Sequence, residues 1–355
     1  MRSSTDQADA PARPGRPRFT RTRSGPLRVL APLLAVLVLL VLITESLALG
    51  SRTLSPEEVW QGLLAYDNSV ASKVVWGLRI HRTILAIVVG ASLAVAGVVM
   101  QALTRNPLAE PGILGVNAGA SLAVVAAIGG LGLTSVNQYL PFAFAGAAAA
   151  AVLVHVMARR SADAGPARLV LAGVALGASL SSITGTMTMY NSKAFDSYRF
   201  WVVGSLENRK LEVLLWVAPF LAVGLVLALA SAHSLNALAL GDEQATALGV
   251  NLAVVRGGAF LALTLLCGAA TAAVGPISFI GLVIPHVARL LVGADQRRLL
   301  AWSVAAGAGL LLAADVMGRL LVRPTELEAG IVTAFIGAPV LLVLAVTNRT
   351  IRRGA

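Results

Sequence analysis

The sequence predicts an all-α integral membrane protein with about ten transmembrane helices, on three observations. Of its 355 residues, 57% are hydrophobic and only 13% charged, with mean hydropathy +0.80, whereas soluble domains carry about 25% charged residues. Apolar runs long enough to cross a bilayer recur from residue 30 almost to the C-terminus. Seven arginines (Arg2, Arg13, Arg16, Arg18, Arg21, Arg23 and Arg28) precede the first run. That is the positive-inside pattern of a cytoplasmic N-terminus. The net charge of +11 is thus a topological signal, and nucleic-acid binding is excluded as its meaning.

Ten runs of roughly 20 residues are bounded by charges, Pro, Asn or Gly. They cover 30–49, 83–103, 117–134, 139–158, 168–190, 211–231, 253–274, 278–293, 299–320 and 330–347. The first is longer than the apolar region of a signal peptide, so it reads as a retained span. The third and eighth are short or Gly-interrupted, and only Gly275-Pro276 separates the seventh from the eighth, which leaves nine or eleven spans open. The domain layout is a disordered basic cytoplasmic arm over 1–29, which can touch anionic lipid, a membrane domain over 30–348 and a cytoplasmic tail over 349–355. An even span count returns the C-terminus to the cytoplasm, where Arg349, Arg352 and Arg353 fit the charge rule, as do Arg159, Arg160, Arg297 and Arg298. Arg79, Arg82, Arg319 and Arg323 fall on the outside, where that rule gives them no purpose. Gly90-x-x-x-Ala94 with Gly97, and Gly173-x-x-x-Gly177, put small residues at helical spacing and predict close helix crossings.

The chemistry classes narrow quickly. Cys267 is the single cysteine, and His81, His155, His233 and His286 are scattered. The pattern offers no disulfide, no metal site and no need for a cofactor. The three lysines, Lys73, Lys193 and Lys210, do not follow glycine, so there is no P-loop. Paired acids, a nucleophile with its base and metal ligands are all lacking from the spans, so the chain is not read as an enzyme. Intramembrane charge is sparse: Asp315 is followed four residues later by Arg319, a spacing at which the two neutralise one another, and Glu45 lies near the end of the first span. Active transport by this chain would draw its energy from a partner. The alternative is an ion-coupled secondary transporter that uses Asp315 as its acid.

Five stretches are more specific: Arg79 to Arg82 followed by Gln101 to Gly115 (QALTRNPLAEPGILG), Trp201 to Leu206 (WVVGSL), Leu235 to Gly249 (LNALALGDEQATALG), Gly275 to Arg289 (GPISFIGLVIPHVAR) and Gly330 to Pro339 (GIVTAFIGAP). On these the chain resembles the FecCD permease family, the membrane subunits of bacterial type II ABC importers for iron chelates, haem and cobalamin. The resemblance runs from about Leu47 to Leu344. It departs at His81, where the family has Pro within an Arg-x-Pro-Arg motif, and at Glu328, where the family has Pro.

The resemblance implies a type II ABC importer permease fold in the plasma (inner) membrane of a bacterium, with both termini cytoplasmic. It implies a cytoplasmic ABC ATPase dimer, an extracytoplasmic substrate-binding protein and a second permease subunit, homomeric or heteromeric, with membrane lipid around the permease. The implied cargo is a ferric siderophore, the commonest in the family, with haem or cobalamin as alternatives. Leu240, Gly241, Asp242, Ala245, Leu248 and Gly249 correspond to the loop that couples to the ATPase. Their residue types suit a short helix with acids at its N-terminus and an apolar knob, although an ordinary helix lying on the membrane fits as well. Arg79, Arg82 and Arg319 match positions that meet the binding protein, with interfacial snorkelling as the alternative. Asn106 and Leu108 match the cytoplasmic gate. Gly177, Ser181, Thr184 and Thr188 share one helix face in the span that lines the pathway in this family. Their hydroxyls would either face the pathway or bond to preceding backbone carbonyls.

Overall fold

The apolar runs fold as helices because in a bilayer each backbone N–H and C=O must find its partner within the chain. The computed structural model describes residues 27–50, 54–64, 66, 69–159, 166–322 and 325–353. Among these the regular elements are all helical. In order they are α1 (Leu27–Ala48), α2 (Pro56–Leu64), α3 (Val70–Val74), a π-turn (Val75–Arg79), α4 (Ile80–Thr104), a 3-10 turn (Pro111–Leu114), α5 (Val116–Leu131), α6 (Val136–Arg159) and α7 (Pro166–Tyr190). These are followed by α8 (Ser192–Trp201), α9 (Leu211–Leu238), α10 (Asp242–Ala247), α11 (Leu252–Val274), α12 (Ile280–Val292), α13 (Gln296–Leu321) and α14 (Ala329–Arg353). Most of the arm expected over 1–29, together with Arg160, Arg323 and the last two residues of the tail, lies outside the described residues.

Each of the ten expected runs coincides with one helix: α1, α4, α5, α6, α7, α9, α11, α12, α13 and α14. Six stretches, Val70–Thr104, Val136–Ala158, Ala167–Tyr190, Leu211–Leu238, Leu252–Val274 and Gln296–Leu321, are long and apolar enough to cross a membrane. The other four contribute shorter apolar segments. The 16 residues of α5 and 13 of α12 rise only about 24 and 20 Å against a hydrocarbon core of about 30 Å. These are the third and eighth runs, and the break between α11 and α12 falls at Gly275-Pro276 as the sequence suggests.

Helix α4 is the axis of the bundle, packed against α9, α11, α12 and α13. Its close crossings depend on the small residues. A Cβ at Gly90 would lie 2.4 Å from the Gly307 carbonyl oxygen, and one at Gly97 would lie 1.9 Å from that of Gly281. Gly119 and Gly146 let α5 and α6 touch in the same way, and Gly173 lets α7 sit against the 3-10 turn at Ile113. At the opposite extreme is α7, the least buried of the six long stretches, at 11% against 83% for the stretch that contains α4. Leu171, Ala175, Ala178, Ser179, Ser182 and Thr186 are among its exposed residues.

Candidate functional site: the short helix after Gly241 and the Asn106–Leu108 turn

Helix α9 ends at Leu238, and the chain turns through Gly241, whose φ of +112° suits glycine, into α10. Asp242 and Glu243 occupy the first turn of α10, where acids favour the helix dipole. Gly249, at φ +80°, then leads to Asn251, which caps α11 by accepting from the backbone N–H groups of Ala253 and Val254. Ala245 is fully buried beneath this short helix, whereas Leu240 and Leu248 are 57% and 65% exposed on either side of it. The six residues expected at the coupling loop therefore form one projecting element with a buried foot and two apolar tips.

Asp242 braces that element. Arg256, in the first turns of α11, donates from Nη2 to both of its oxygens, at 2.9 and 2.7 Å, and Arg105 donates to the same carboxylate. Partial burial alone would raise this carboxyl, but hydrogen bonds from Arg256 and then Arg105 outweigh it and hold the group below the usual aspartate range. Arg105 also donates from Nε to the Leu238 carbonyl at 3.0 Å. Nearby, Asn236 at the end of α9 donates to Asp295 at 3.0 Å and accepts from the Gln296 N–H at 2.9 Å. The Asn236 bond, with the Arg297 N–H, keeps the Asp295 carboxyl below its ordinary value. The ends of α4, α9, α11 and α13 on this side of the bundle are thereby joined around α10.

Arg105 is also where α4 stops. It adopts a left-handed conformation (φ +49°) and closes the helix with bonds from its own N–H to Ala102 and from the Asn106 N–H to Gln101. Pro107 prevents continuation. In the expected gate, Asn106 Oδ1 accepts from the Leu108 N–H at 3.0 Å, so that the two residues form one tight turn. Asn106 is exposed and Leu108 half-buried. Beyond them Glu110 accepts from the Phe279 N–H at 2.6 Å, while Gln101 bridges Arg289 (3.0 Å) and the Gly281 carbonyl (3.4 Å). The roles of Arg105, Arg256 and Glu110 escaped the sequence reading. Arg105 and Glu110 had one signal there, a charged residue on each side of Asn106-Pro107-Leu108-Ala109, and Arg256 had none.

The four residues expected along the pathway do share a face of α7, but the structure divides them. Gly177 and Ser181 line a cleft of about 370 Å³ with Gly112, Asn117, Ser121 and Tyr198. Thr184 and Thr188 are buried, at 2% and 9% exposure. Both threonines donate to carbonyls of their own helix, Leu180 and Gly185, and the exposed Ser179, Ser182 and Thr186 do likewise.

The three arginines expected at the binding-protein surface turn inward. Arg319 is buried, donates to the Ser46 and Leu49 carbonyls at 2.9 and 3.2 Å, and pairs with Asp315. Arg82 clasps Asp315 with contacts of 2.8 to 3.1 Å and reaches Glu326 at 2.6 Å. Arg79 donates to the Leu47 carbonyl at 2.5 Å. Ser46 and Thr83 share a 2.7 Å hydrogen bond beside this cluster, which ties α1, α4 and α13 at one end of the bundle.

Comparison with known proteins agrees with this architecture. The family model described as the FecCD transport family matches residues 37–347. The chain is 44% identical over 323 residues to the ferric enterobactin transport system permease protein FepD of Escherichia coli strain K12, covering 90% of this chain and 96% of that one. It is 36% identical over 341 residues to the hemin transport system permease protein HmuU of Yersinia pestis, covering 94% and 99%. Among solved structures, a chain of an inward-facing transporter classed as metal-chelate type ABC superposes with TM-score 0.79 at 30% identity, covering 90% of this chain and 99% of that one. With the matched region spanning the membrane helices, α10 and the Asn106–Leu108 turn, the chain belongs to the FecCD transport family, the membrane permeases of ABC importers.

Proposed function

We propose that this chain is the permease subunit through which an ATP-binding-cassette importer carries a ferric siderophore complex into the cytoplasm, driven by ATP hydrolysed on partner subunits. The observation that carries the reading is α10. A short helix braced by Asp242 and flanked by exposed Leu240 and Leu248 is suited to seat in the groove of an ATPase dimer, as an apolar helix face seats in a groove. On this reading both termini are cytoplasmic, the basic arm over 1–29 and the tail over 349–355 flank a permease domain over 30–348, and the chain itself performs no chemistry. The exposed, hydroxyl-bearing face of α7 supports a pathway shared with a second permease subunit, since such a wall offers a bulky chelate only weak holds.

An extracytoplasmic binding protein would meet the outer ends of α1, α4 and α13. There Arg82 and Arg319 act by fixing the shape of the docking surface through the Asp315 cluster, and Arg79 does so through the Leu47 carbonyl. Asp315 is engaged by two guanidinium groups, which favours a structural anchor over the ion-coupled acid of a secondary transporter. Similarity to the permease of the ferric enterobactin system supports siderophore as the cargo class. A haem complex is the second reading, favoured by the relative from Yersinia pestis.

The test is uptake by a strain that lacks the gene. Iron-labelled catecholate and hydroxamate complexes, haem and labelled cobalamin are compared, with and without an uncoupler while ATP is maintained. The expected result is selective loss of one ferric siderophore, with wild-type uptake that persists through uncoupling. Loss of haem or cobalamin uptake instead would replace the cargo, and wild-type uptake that dies with the potential would replace the energy source.

A further inference from the structure

We infer that Arg105 is a positioning residue that delivers movement of α10 to the Asn106–Leu108 turn, so that the ATPase-facing helix and the inner end of the pathway move as one part. The inference rests on reading α10 as the ATPase contact and the Asn106–Leu108 turn as the cytoplasmic gate.

The argument is geometric. The Asn106–Leu108 turn hangs between two anchors. On one side the Arg105 guanidinium grips both the last turn of α9, through the Leu238 carbonyl, and α10, through Asp242. On the other side Glu110 is fixed to the start of α12 through the Phe279 N–H. Four residues, Asn106 to Ala109, lie between, and the first three are already closed by the Asn106 to Leu108 hydrogen bond. So short a folded segment has little slack: a displacement of α10 relative to α12 must rotate or open the turn, because Arg105 and Glu110 pull its two ends. Asp242 is suited to carry the displacement, because Arg256 holds the same carboxylate from α11. α10 is thereby bound to its own hairpin as firmly as to Arg105.

The chemistry of the residue matters as well. A guanidinium can satisfy a carbonyl and a carboxylate at once from different nitrogens, whereas a lysine ammonium is a single point charge and holds both less well. The link is also separable from folding. Arg105, Arg256 and Asp242 are 34%, 34% and 43% exposed, and ion pairs that exposed contribute little to stability. Their role is then directional, which is the property a coupling strut requires.

The experiment uses the full chain in complex with its ATPase and needs no identified cargo. A reporter thiol is placed by Leu108→Cys; the native Cys267 is buried and remains silent. Alkylation of the reporter by a water-soluble maleimide is timed in the nucleotide-free and the vanadate-trapped complex. In the Leu108→Cys chain the two rates should differ by about fivefold or more, a modest coupling free energy. Adding Arg105→Ala should collapse that difference while the complex still assembles and still hydrolyses ATP, since Leu240, Ala245 and Leu248 are untouched. Arg105→Lys should restore part of the response. An unchanged nucleotide response in Arg105→Ala would overturn the inference, as would loss of assembly, hydrolysis and response together, which marks a merely structural residue. Failure of the Leu108→Cys chain itself to bind an ATPase would instead overturn the reading on which the inference rests.

Discussion

Gly97 of α4 and Gly281 of α12 approach so closely that a Cβ on Gly97 would stand 1.9 Å from the Gly281 carbonyl oxygen. No side chain can occupy that space, and the obstacle is backbone, so the neighbour cannot swing aside. Because Gly281 also receives the Gln101 side chain, this crossing supports the base of the Asn106–Leu108 turn as well as the bundle axis. Gly97→Val should therefore abolish stable insertion, at a cost above the roughly 1 to 3 kcal/mol of ordinary overpacking. Gly258→Ala in α11, where a new Cβ meets nothing within 4 Å, should be tolerated. Membrane abundance and thermal unfolding in detergent check the pair, and equal behaviour of the two variants would refute the packing account.

The Asp315 cluster makes a different demand. Both Asp315 and Arg319 are almost wholly buried, and removing one partner leaves an uncompensated buried charge, which typically costs about 3 to 5 kcal/mol. Asp315→Asn should thus lower the unfolding temperature clearly, while whatever uptake remains stays insensitive to the proton gradient. A variant of normal stability that selectively loses proton dependence would favour the secondary-transporter reading. Arg82→Glu should destabilise in the same direction, because it would set a third carboxylate beside Asp315 and Glu326.

The fold was legible to the degree that hydropathy determines it. Ten apolar runs became ten helices because a bilayer leaves an apolar stretch of that length few other structures. α10 could be read because Gly241, Asp242, Glu243 and Gly249 encode its two ends. α2 and α8 could not, because a search for apolar windows passes over short amphipathic helices such as PEEVWQGLL and SKAFDSYRFW. The arginines were legible as anomalies of charge but not in direction. Arg82 turns inward because Asp315 and Glu326, more than 230 residues away in sequence, lie at the same end of the bundle. The periodicity of α7 places Gly177, Ser181, Thr184 and Thr188 on one face, but their surroundings differ. Which side of that helix is covered depends on where its neighbours pack, and that is a tertiary fact.

The tips of α10 should act independently of the rest of the chain. Leu240→Asp with Leu248→Asp should leave insertion unchanged, since both side chains are exposed, yet prevent co-purification of an ATPase and stop uptake. Gly241→Leu together with Ala245→Leu should do so by distorting the helix itself, through a strained φ and a filled buried site. Retained uptake in the Leu240, Leu248 double variant would remove α10 from the ATPase interface.

The depressed Asp242 carboxyl gives this element a defined pH response. A group whose folded pKa lies below its unfolded value contributes stability above the unfolded value and loses it as pH falls through the folded one. With the ordinary aspartate value near 3.9, the brace on α10 should be intact from neutral pH down to about pH 5 and fail only well below that. Hydrogen exchange over 236–256, corrected for the intrinsic rate, should be flat across the upper range and rise in acid. In Asp242→Asn it should be raised at neutral pH. A transition in the wild-type protein between pH 5 and 7 would mean that some other group controls the segment.

Finally, α7 permits a direct test of which face is open. Ser182 and Thr186 are exposed, whereas Thr184 is buried, although all three hydroxyls bond to carbonyls within their own helix. Hydrogen bonding therefore does not distinguish them, and only the packing of neighbours does. Single variants Ser182→Cys, Thr184→Cys and Thr186→Cys can be labelled with a small charged thiol reagent, against the buried native Cys267. If α7 borders a water-accessible pathway, residues 182 and 186 should react quickly and 184 slowly. If the exposed face of α7 is instead covered by lipid, a charged reagent will reach none of the three, because it does not partition into hydrocarbon. Rapid labelling at 184 with protection at 182 and 186 would reverse the assignment of faces and place the pathway on the side of Gly177 and Ser181.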